Sequence, residues 1–243
     1  MNLKQLGKSA RQASKVLAAA PTRQKNDCLH TIAKVLRERS NEILQENASD
    51  LEVGRDGEMS PSMLDRLELT LARVDSMADS LVHIARLPDP VGQLSDLSRQ
   101  PSGIEVGRMR TPLGVIGIIY ESRPNVTSDA AGLCLKSGNA SILRGGTEAI
   151  RSNLVIASCI LEGLIASGLP GECVQVIDTT DREAVGALLR LKDYIDVVVP
   201  RGGRSLIDRV VRESQIPVIR HLDGNCHVFV DEAANIDKAV AIA

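Results

Sequence analysis

The stretch LGVIGIIYESRPNVTSDAAGLCLKSGNASILRGG, residues 113–146, holds two short apolar runs separated by a segment of helix-forming residues. Apolar runs of strand length that flank a helix are typical of parallel strands buried on both faces. The alternation continues to the end of the chain through the apolar runs CVQVID, IDVVVP, PVIR and CHVFVD. The sequence therefore predicts an α/β fold, with a Rossmann-like parallel sheet of about five strands and helices on both faces.

The region before this stretch is predicted to be helical. Good helix formers and apolar residues at helical spacing extend to about residue 87, and Pro, Gly, Ser and Asp are frequent over 86–103. We therefore predict a helical layer over residues 1–95, a strand or hairpin arm over 96–111, and the Rossmann-like domain over 112–243. The basic start of the chain resembles a transit peptide in composition, but its leucines and alanines recur at helical spacing and favour an amphipathic first helix.

The composition argues against several classes of partner. The chain of 243 residues carries 29 Lys and Arg against 31 Asp and Glu, a formal net charge of -2. This balance gives no reason to expect nucleic acid or an anionic membrane as a partner, and no apolar run approaches the roughly 20 residues of a membrane span. The five cysteines are odd in number and include no CxxC pair, which favours reduced thiols in the cytoplasm.

Arginine and glycine are concentrated where the predicted strands end. The loops ESRPN, RGG, PRGGRS and RHLDGN each follow an apolar run, and ligands of parallel sheets bind at the carboxyl ends of strands. Paired glycines let backbone N–H groups approach an anion closely, and a neighbouring guanidinium adds charge and donors. One such loop alone is more typical of a tight turn with a solvated arginine, but two RGG loops at one edge favour a phosphate site. The sequence has neither the GxGxxG fingerprint nor the P-loop pattern.

Five segments of the chain share their order with one known family: MLDRLELT, LPDPVGQ, TPLGVIGIIYESRPNVTSDAAGLCLKSGNASILRGG, YIDVVVPRGG and NCHVFVD. They resemble the γ-glutamyl phosphate reductases (glutamate-5-semialdehyde dehydrogenases), a family within the aldehyde dehydrogenase superfamily. The resemblance implies an aldehyde dehydrogenase-like cofactor domain. It also implies NADPH-dependent reduction of L-glutamate 5-phosphate to L-glutamate 5-semialdehyde and phosphate in proline biosynthesis, by a cysteine thioester mechanism. A cytoplasmic homo-oligomer when full length, associated with glutamate 5-kinase, is implied in the same way.

The resemblance further assigns residues to the cofactor and to the substrate. Arg144 takes a place beside the adenosine ribose, where an extra positive charge favours NADP over NAD. The PRGG loop is implied to lie near the pyrophosphate. The expected substrate contacts are Ser122, Arg123 and Asn125. The expected cofactor contacts are Ile118, Ile119, Arg144, Gly145, Gly146, Arg201, Gly202, Gly203, Ser205 and Leu222.

Cys226 lies between His221 and His227, an arrangement that suggests an activated thiol. A cysteine at the start of a strand is more typical of a small buried hydrophobe. Residues 226 and 227 would also point to opposite faces, which disfavours a metal site with His221. The resemblance implies that the catalytic cysteine lies beyond Ala243, in a downstream catalytic domain absent from this chain. We therefore identify no catalytic residue and no metal site here, and the alternative is a non-catalytic nucleotide- or phosphate-binding module.

Overall fold

The computed structural model describes residues 2–181, 183–220 and 227–242. The first part of the chain is helical, and the side chains of Asn2 and Thr70 accept backbone N–H groups at the starts of its first and last helices. These helices are α1 (Leu3–Ala18), α2 (Thr22–Glu38), α3 (Ser40–Asp56), α4 (Pro61–Leu67) and α5 (Leu71–Arg86).

An antiparallel hairpin follows the helices. Its strands are β1 (Leu94–Arg99) and β2 (Glu105–Met109), and every residue of both strands is exposed. Gly103 has a φ of +88° in the connecting turn, a conformation that glycine adopts without a steric penalty. The hairpin therefore projects from the protein as a separate arm.

A four-stranded parallel sheet forms the centre of the rest of the chain, in the order β5-β4-β3-β6. Its strands are β3 (Val115–Tyr120), β4 (Ala140–Arg144), β5 (Val174–Val176) and β6 (Val197–Arg201). The helices of this part are α6 (Asn125–Lys136), α7 (Ile150–Ala166), α8 (Glu183–Leu188), α9 (Arg204–Glu213) and α10 (Ile236–Ile242). The α/β fold with a covered parallel sheet is confirmed.

Both faces of the sheet are covered. On one face, Ile118 and Leu143 belong to an apolar core that includes side chains of α2, α5, α6 and α7. On the other face, Ile119, Ile142 and Val198 pack with side chains of α8 and α9 and with the start of the chain. Because alternate residues of a strand point to opposite faces, strands of this kind must be apolar throughout.

The end of the chain departs from the prediction. The predicted strand PVIR is reduced to a single parallel bridge between Val198 and Val218. A strand was also predicted over 226–231, but residues 227–231 form none, and the Phe229 side chain is 89% exposed. Strands depend on a neighbouring backbone for their hydrogen bonds. In the described part of the chain no strand forms backbone hydrogen bonds with residues 227–231.

Helix α7 is unusually apolar. With the turn before it, the segment Thr147–Ala166 has the length and composition of a membrane span, the one such segment among the described residues. Half of its apolar window, 50%, is buried inside the protein, against α2, α3 and β5. A central position in the core is sufficient to explain this composition.

Candidate functional site

The loops that follow the parallel strands meet at one edge of the sheet. The strand register pairs Ile119 with Arg144 on one side, and Tyr120 with Arg201 on the other. Strand β3 is therefore the centre of this carboxyl edge, and the two arginine-glycine loops lie on either side of it. Ligands of open α/β sheets bind in this position.

Glu121 holds the start of helix α9. Its carboxylate accepts the Gly203 N–H at 2.8 Å. A Cβ atom at Gly202 would lie 2.4 Å from the same carboxylate oxygen, so this approach requires glycine. The amino end of a helix favours anions, and here the chain's own carboxylate is the anion. A phosphate that took this position would have to displace Glu121.

Glu148 holds the loop after β3 in a similar way. The Ser122 N–H and hydroxyl donate to one Glu148 oxygen at 2.6 and 2.8 Å. Ser122 is buried and has a φ of +45°, which is rare for a residue other than glycine. A Cβ at Gly146 would lie 2.0 Å from that Glu148 oxygen. The second glycine of the RGG loop is therefore needed to let the carboxylate reach Ser122.

Arg144 is buried, with 7% of its surface exposed, and its guanidinium donates to the Gly145 carbonyl. A Cβ at Gly145 would meet the Asn153 side-chain amide at 2.2 Å. The Asn153 carbonyl oxygen accepts the Thr127 hydroxyl at 2.9 Å, and Thr127 is 2.6 Å from the Tyr120 hydroxyl. These buried hydrogen bonds hold the Asn153 side chain against the RGG loop. Burial raises the pKa of Tyr120.

The predicted site residues lie mainly along three adjoining clefts. The cleft beside α9 has a volume of about 370 Å³ and is lined in part by Ile119, Arg144, Gly146 and Ser205. The central cleft of about 610 Å³ is lined in part by Ser122, Arg123, Arg201, Gly202 and Gly203. The third, mostly apolar groove of about 900 Å³ includes Ile118 and Asn125. Gly145 lines none of these clefts.

One predicted cofactor contact, Leu222, lies outside the described residues. His221 and Cys226, which the sequence disfavours as a metal ligand and as a nucleophile, also lie outside them. His227 is exposed.

Three residues of this edge were missed by the sequence analysis. Glu121 and Glu148 each lie next to a loop that was singled out, and an acidic residue directly after a buried strand was the available signal for Glu121. Arg66, on α4 of the helical layer, lines the central cleft with Arg123 and Arg201. No local pattern connects Arg66 with the sheet edge, because tertiary packing alone brings α4 there.

The four cysteines that the structure describes are free and buried. Burial raises the pKa of Cys28 to about 11 and that of Cys159 to about 11. It raises the pKa of Cys134 to about 12 and that of Cys173 to about 12. A nucleophilic thiol must be a thiolate near neutral pH. None of these four thiols meets that requirement.

Comparison with known proteins adds independent findings. The aldehyde dehydrogenase family model matches residues 1–243. The γ-glutamyl phosphate reductase of Thermotoga maritima is 43% identical with a TM-score of 0.91, over 100% of this chain and 58% of that one. The enzyme of the same name from Saccharomyces cerevisiae is 32% identical with a TM-score of 0.84, over 90% of this chain and 56% of that one.

A more distant structure shares the fold alone. A probable aldehyde dehydrogenase from Listeria monocytogenes is 18% identical with a TM-score of 0.72, over 98% of this chain and 49% of that one. This chain thus spans about half to three-fifths of the length of these three proteins.

Proposed function

The chain belongs to the aldehyde dehydrogenase family, and from that membership we propose that it forms the cofactor-binding part of an NADPH-dependent acyl-phosphate reductase. The proposed reaction converts L-glutamate 5-phosphate to L-glutamate 5-semialdehyde and phosphate, a step of proline biosynthesis, in the cytoplasm. One observation carries the proposal. The amino end of α9 holds an anion, the Glu121 carboxylate, at the carboxyl edge of a parallel sheet between two arginine-glycine loops. The likeness to two γ-glutamyl phosphate reductases supports the substrate.

The cleft beside α9 fits the adenosine half of a nicotinamide dinucleotide. Apolar side chains of Ile119, Val185 and Leu206 form a wall suited to adenine. Arg144 and Ser205 line the same cleft and supply a cation and a hydroxyl for phosphate groups. We assign Arg144 to the 2′-phosphate and the Gly203 amide to the pyrophosphate, which displaces the Glu121 carboxylate from that amide on binding. When bound, the nicotinamide supplies the hydride of the reaction.

The residues of the central cleft suit the acyl phosphate. Arg201 has no ion-pair partner within the described ranges, so its charge can balance a phosphate group and its release. Glu148 keeps the Ser122 amide and hydroxyl fixed in the same cleft. The attacking thiolate comes from none of the four described cysteines, because burial keeps them protonated.

The exposed hairpin supports a homo-oligomer. Leu94, Leu97 and Val106 are 61%, 64% and 47% exposed on its strands. A two-stranded hairpin is marginally stable without a covering surface, and exposed apolar clusters mark protein contacts. We propose that a second copy of the protein covers this arm.

Nucleotide titration tests the proposal. NADPH and NADH are added to the chain, and binding is followed by calorimetry, because the protein contains no Trp for energy transfer. Replacing Arg144 by Ala should weaken the binding of NADPH by about 1–3 kcal/mol more than the binding of NADH. Arg55→Ala, on α3, is the control. Equal weakening of both nucleotides would remove Arg144 from the 2′-phosphate site, and no binding of either would refute the cofactor site.

Turnover requires a second assay. The chain is joined to the remaining part of the Thermotoga maritima enzyme, and phosphate-dependent oxidation of glutamate 5-semialdehyde by NADP is followed through NADPH absorbance. Activity that falls when Arg123 or Arg201 is replaced by Ala supports the reaction. A chain that binds NADPH while its fusion turns nothing over supports the binding-module alternative.

A further inference from the structure

A smaller cleft of about 300 Å³ lies beside the central one, between α4, α5 and α6. Its lining carries charges of both signs, and Arg123, Asn125 and Asp129 line both this cleft and the larger apolar groove. It shares Arg66 and Arg123 with the central cleft. A ligand of moderate length can therefore extend from one cleft into the other, past these two arginines.

Asp65, Glu68 and Asp129 supply the negative charge in this cleft. Asp129 differs from the other two in its hydrogen bonding. Its Oδ2 atom accepts the Asn125 amide at 3.1 Å, while its Oδ1 atom is buried and accepts no hydrogen bond from the described residues. Burial raises the pKa of Asp129, opposed by the Asn125 hydrogen bond and the charge of Arg201. A buried carboxylate oxygen without a donor is costly to the protein alone. A cationic group of a ligand placed against Asp129 from the cleft would balance the charge of this carboxylate.

Arg66 and Arg123 supply the positive charge. Neither forms an ion pair or a side-chain hydrogen bond within the parts of the chain that the structure describes. Arg73, in the same cleft, differs because it binds the Asp65 carboxylate at 2.8 Å. Two guanidinium groups of the cleft thus have their donors available for an anionic group of a ligand.

We propose that this cleft binds the head group of an α-amino acid, with the ammonium on Asp129 and the α-carboxylate between Arg66 and Arg123. The inference rests on the proposed function, in which the substrate is an amino acid whose side chain ends in an acyl phosphate. The side chain then extends into the central cleft, towards Arg201 and the start of α9. Charge matching at both ends would give the site its selectivity.

This arrangement discriminates against close analogues. A dicarboxylate without the amino group leaves Asp129 unpaired and next to a ligand of like charge. An amine without the α-carboxylate leaves the two guanidinium groups unmatched. Selectivity of this kind arises because a site built around buried polar groups rejects ligands that cannot pair with them.

Calorimetry with three small probes tests the proposal on the chain itself. L-glutamate carries both head-group charges, glutarate lacks the ammonium, and 4-aminobutanoate lacks the α-carboxylate. We expect L-glutamate to bind at least about tenfold more tightly than either analogue. Asp129→Asn should abolish the preference over glutarate. Arg66→Met should weaken the binding of L-glutamate and of glutarate and leave the binding of 4-aminobutanoate unchanged. Arg55→Met, away from the cleft, should change the binding of none of the three probes.

Several outcomes would overturn the proposal. These are absent binding of L-glutamate, equal binding of L-glutamate and glutarate, or an unchanged preference in Asp129→Asn. Should Asp129→Asn not fold, as judged by circular dichroism, the three-probe comparison on the unsubstituted chain decides alone. NADPH titration of the same samples separates the head-group site from the proposed cofactor-binding function. A chain that binds NADPH without discriminating the probes refutes the head-group site and leaves the proposed function standing.

Discussion

The parallel sheet and the hairpin are both built from short strands, but they differ in what covers them. All five residues of β4 are buried, whereas all six residues of β1 and all five of β2 are exposed. Helices of the same chain pack on both faces of the parallel sheet. No described part of the chain packs on the hairpin in this way. The same element type is therefore covered by its own chain in one region and left exposed by the described chain in the other.

The largest expected difference in the free energy of unfolding is between substitutions of two isoleucines, one in the sheet and one in the hairpin. Ile142, in β4, is fully buried, and Ile104, at the hairpin turn, is 60% exposed. Ile142→Ala should lower the free energy of unfolding by about 3–4 kcal/mol, because it removes buried methyl groups and leaves a cavity. Ile104→Ala should change it by less than about 0.5 kcal/mol. Urea unfolding of the two variants measures both values, and equal losses would contradict the contrast.

The next largest loss of stability is expected from substituting one of two glycines that have a positive φ. Gly114 has a φ of +123°, and a Cβ there would lie 2.2 Å from the Asp196 carboxylate. Asp196 also accepts from Arg11 and from the Val115 N–H, both at 2.7 Å. Gly114→Ala should therefore cost about 3 kcal/mol, from backbone strain and the broken network.

Gly103, in the hairpin turn, is the control for Gly114. It has a positive φ but nothing within 4 Å of an added Cβ. Gly103→Ala should cost only about 1 kcal/mol, from strain alone. Scanning calorimetry compares the two variants, and a larger loss of Tm in Gly103→Ala would reverse the expected order.

Alkaline pH should destabilise the packed layers through their thiols. Burial raises the pKa of Cys134 from 9.0 to about 12. A raised folded-state pKa means that the thiol's full contribution is present below about pH 9 and is lost as the pH rises towards the folded-state value. The loss is about 1.4 kcal/mol per pH unit for one thiol. Urea unfolding between about pH 8 and about pH 10 measures this slope.

The control for the alkaline effect is Cys134→Ala. It should make the decline shallower than in the unsubstituted chain over the same pH range. The hairpin contains no cysteine, so Ile104→Ala should leave the slope unchanged. An identical slope in Cys134→Ala would show that this thiol does not carry the effect.

The smallest expected effect on stability comes from substitutions of exposed apolar side chains, which test self-association through the hairpin. Leu97 in the hairpin and Val53 on α3 are each 64% exposed. Leu97→Lys and Val53→Lys should each alter the free energy of unfolding by less than about 0.5 kcal/mol. Sedimentation velocity should show that Leu97→Lys abolishes self-association, while Val53→Lys does not. A chain that stays monomeric without either substitution would refute the hairpin as a contact surface.

Much of the fold was predictable because its signals are local. The apolar runs of β3, β4 and β6 and the helical spacing between them indicated a covered parallel sheet, and the structure confirms it. Arginine and glycine after the strands indicated which loops meet at the carboxyl edge. The predicted strand over 226–231 was wrong for its described residues, since an apolar run shows β-propensity and not whether a neighbouring strand is present.

The sequence by itself determined most of the element types and the edge of the sheet at which the arginine-glycine loops meet, because periodicity and turn residues act over a few neighbouring positions. Only the tertiary structure decided that Glu121 takes the Gly203 amide, a contact across 82 residues. It alone brought Arg66 of the helical layer into one cleft with Arg123, and left a buried Asp129 oxygen without a donor among the described residues. Such contacts depend on how whole elements pack, and the free energy of packing is shared among many residues that no short segment contains.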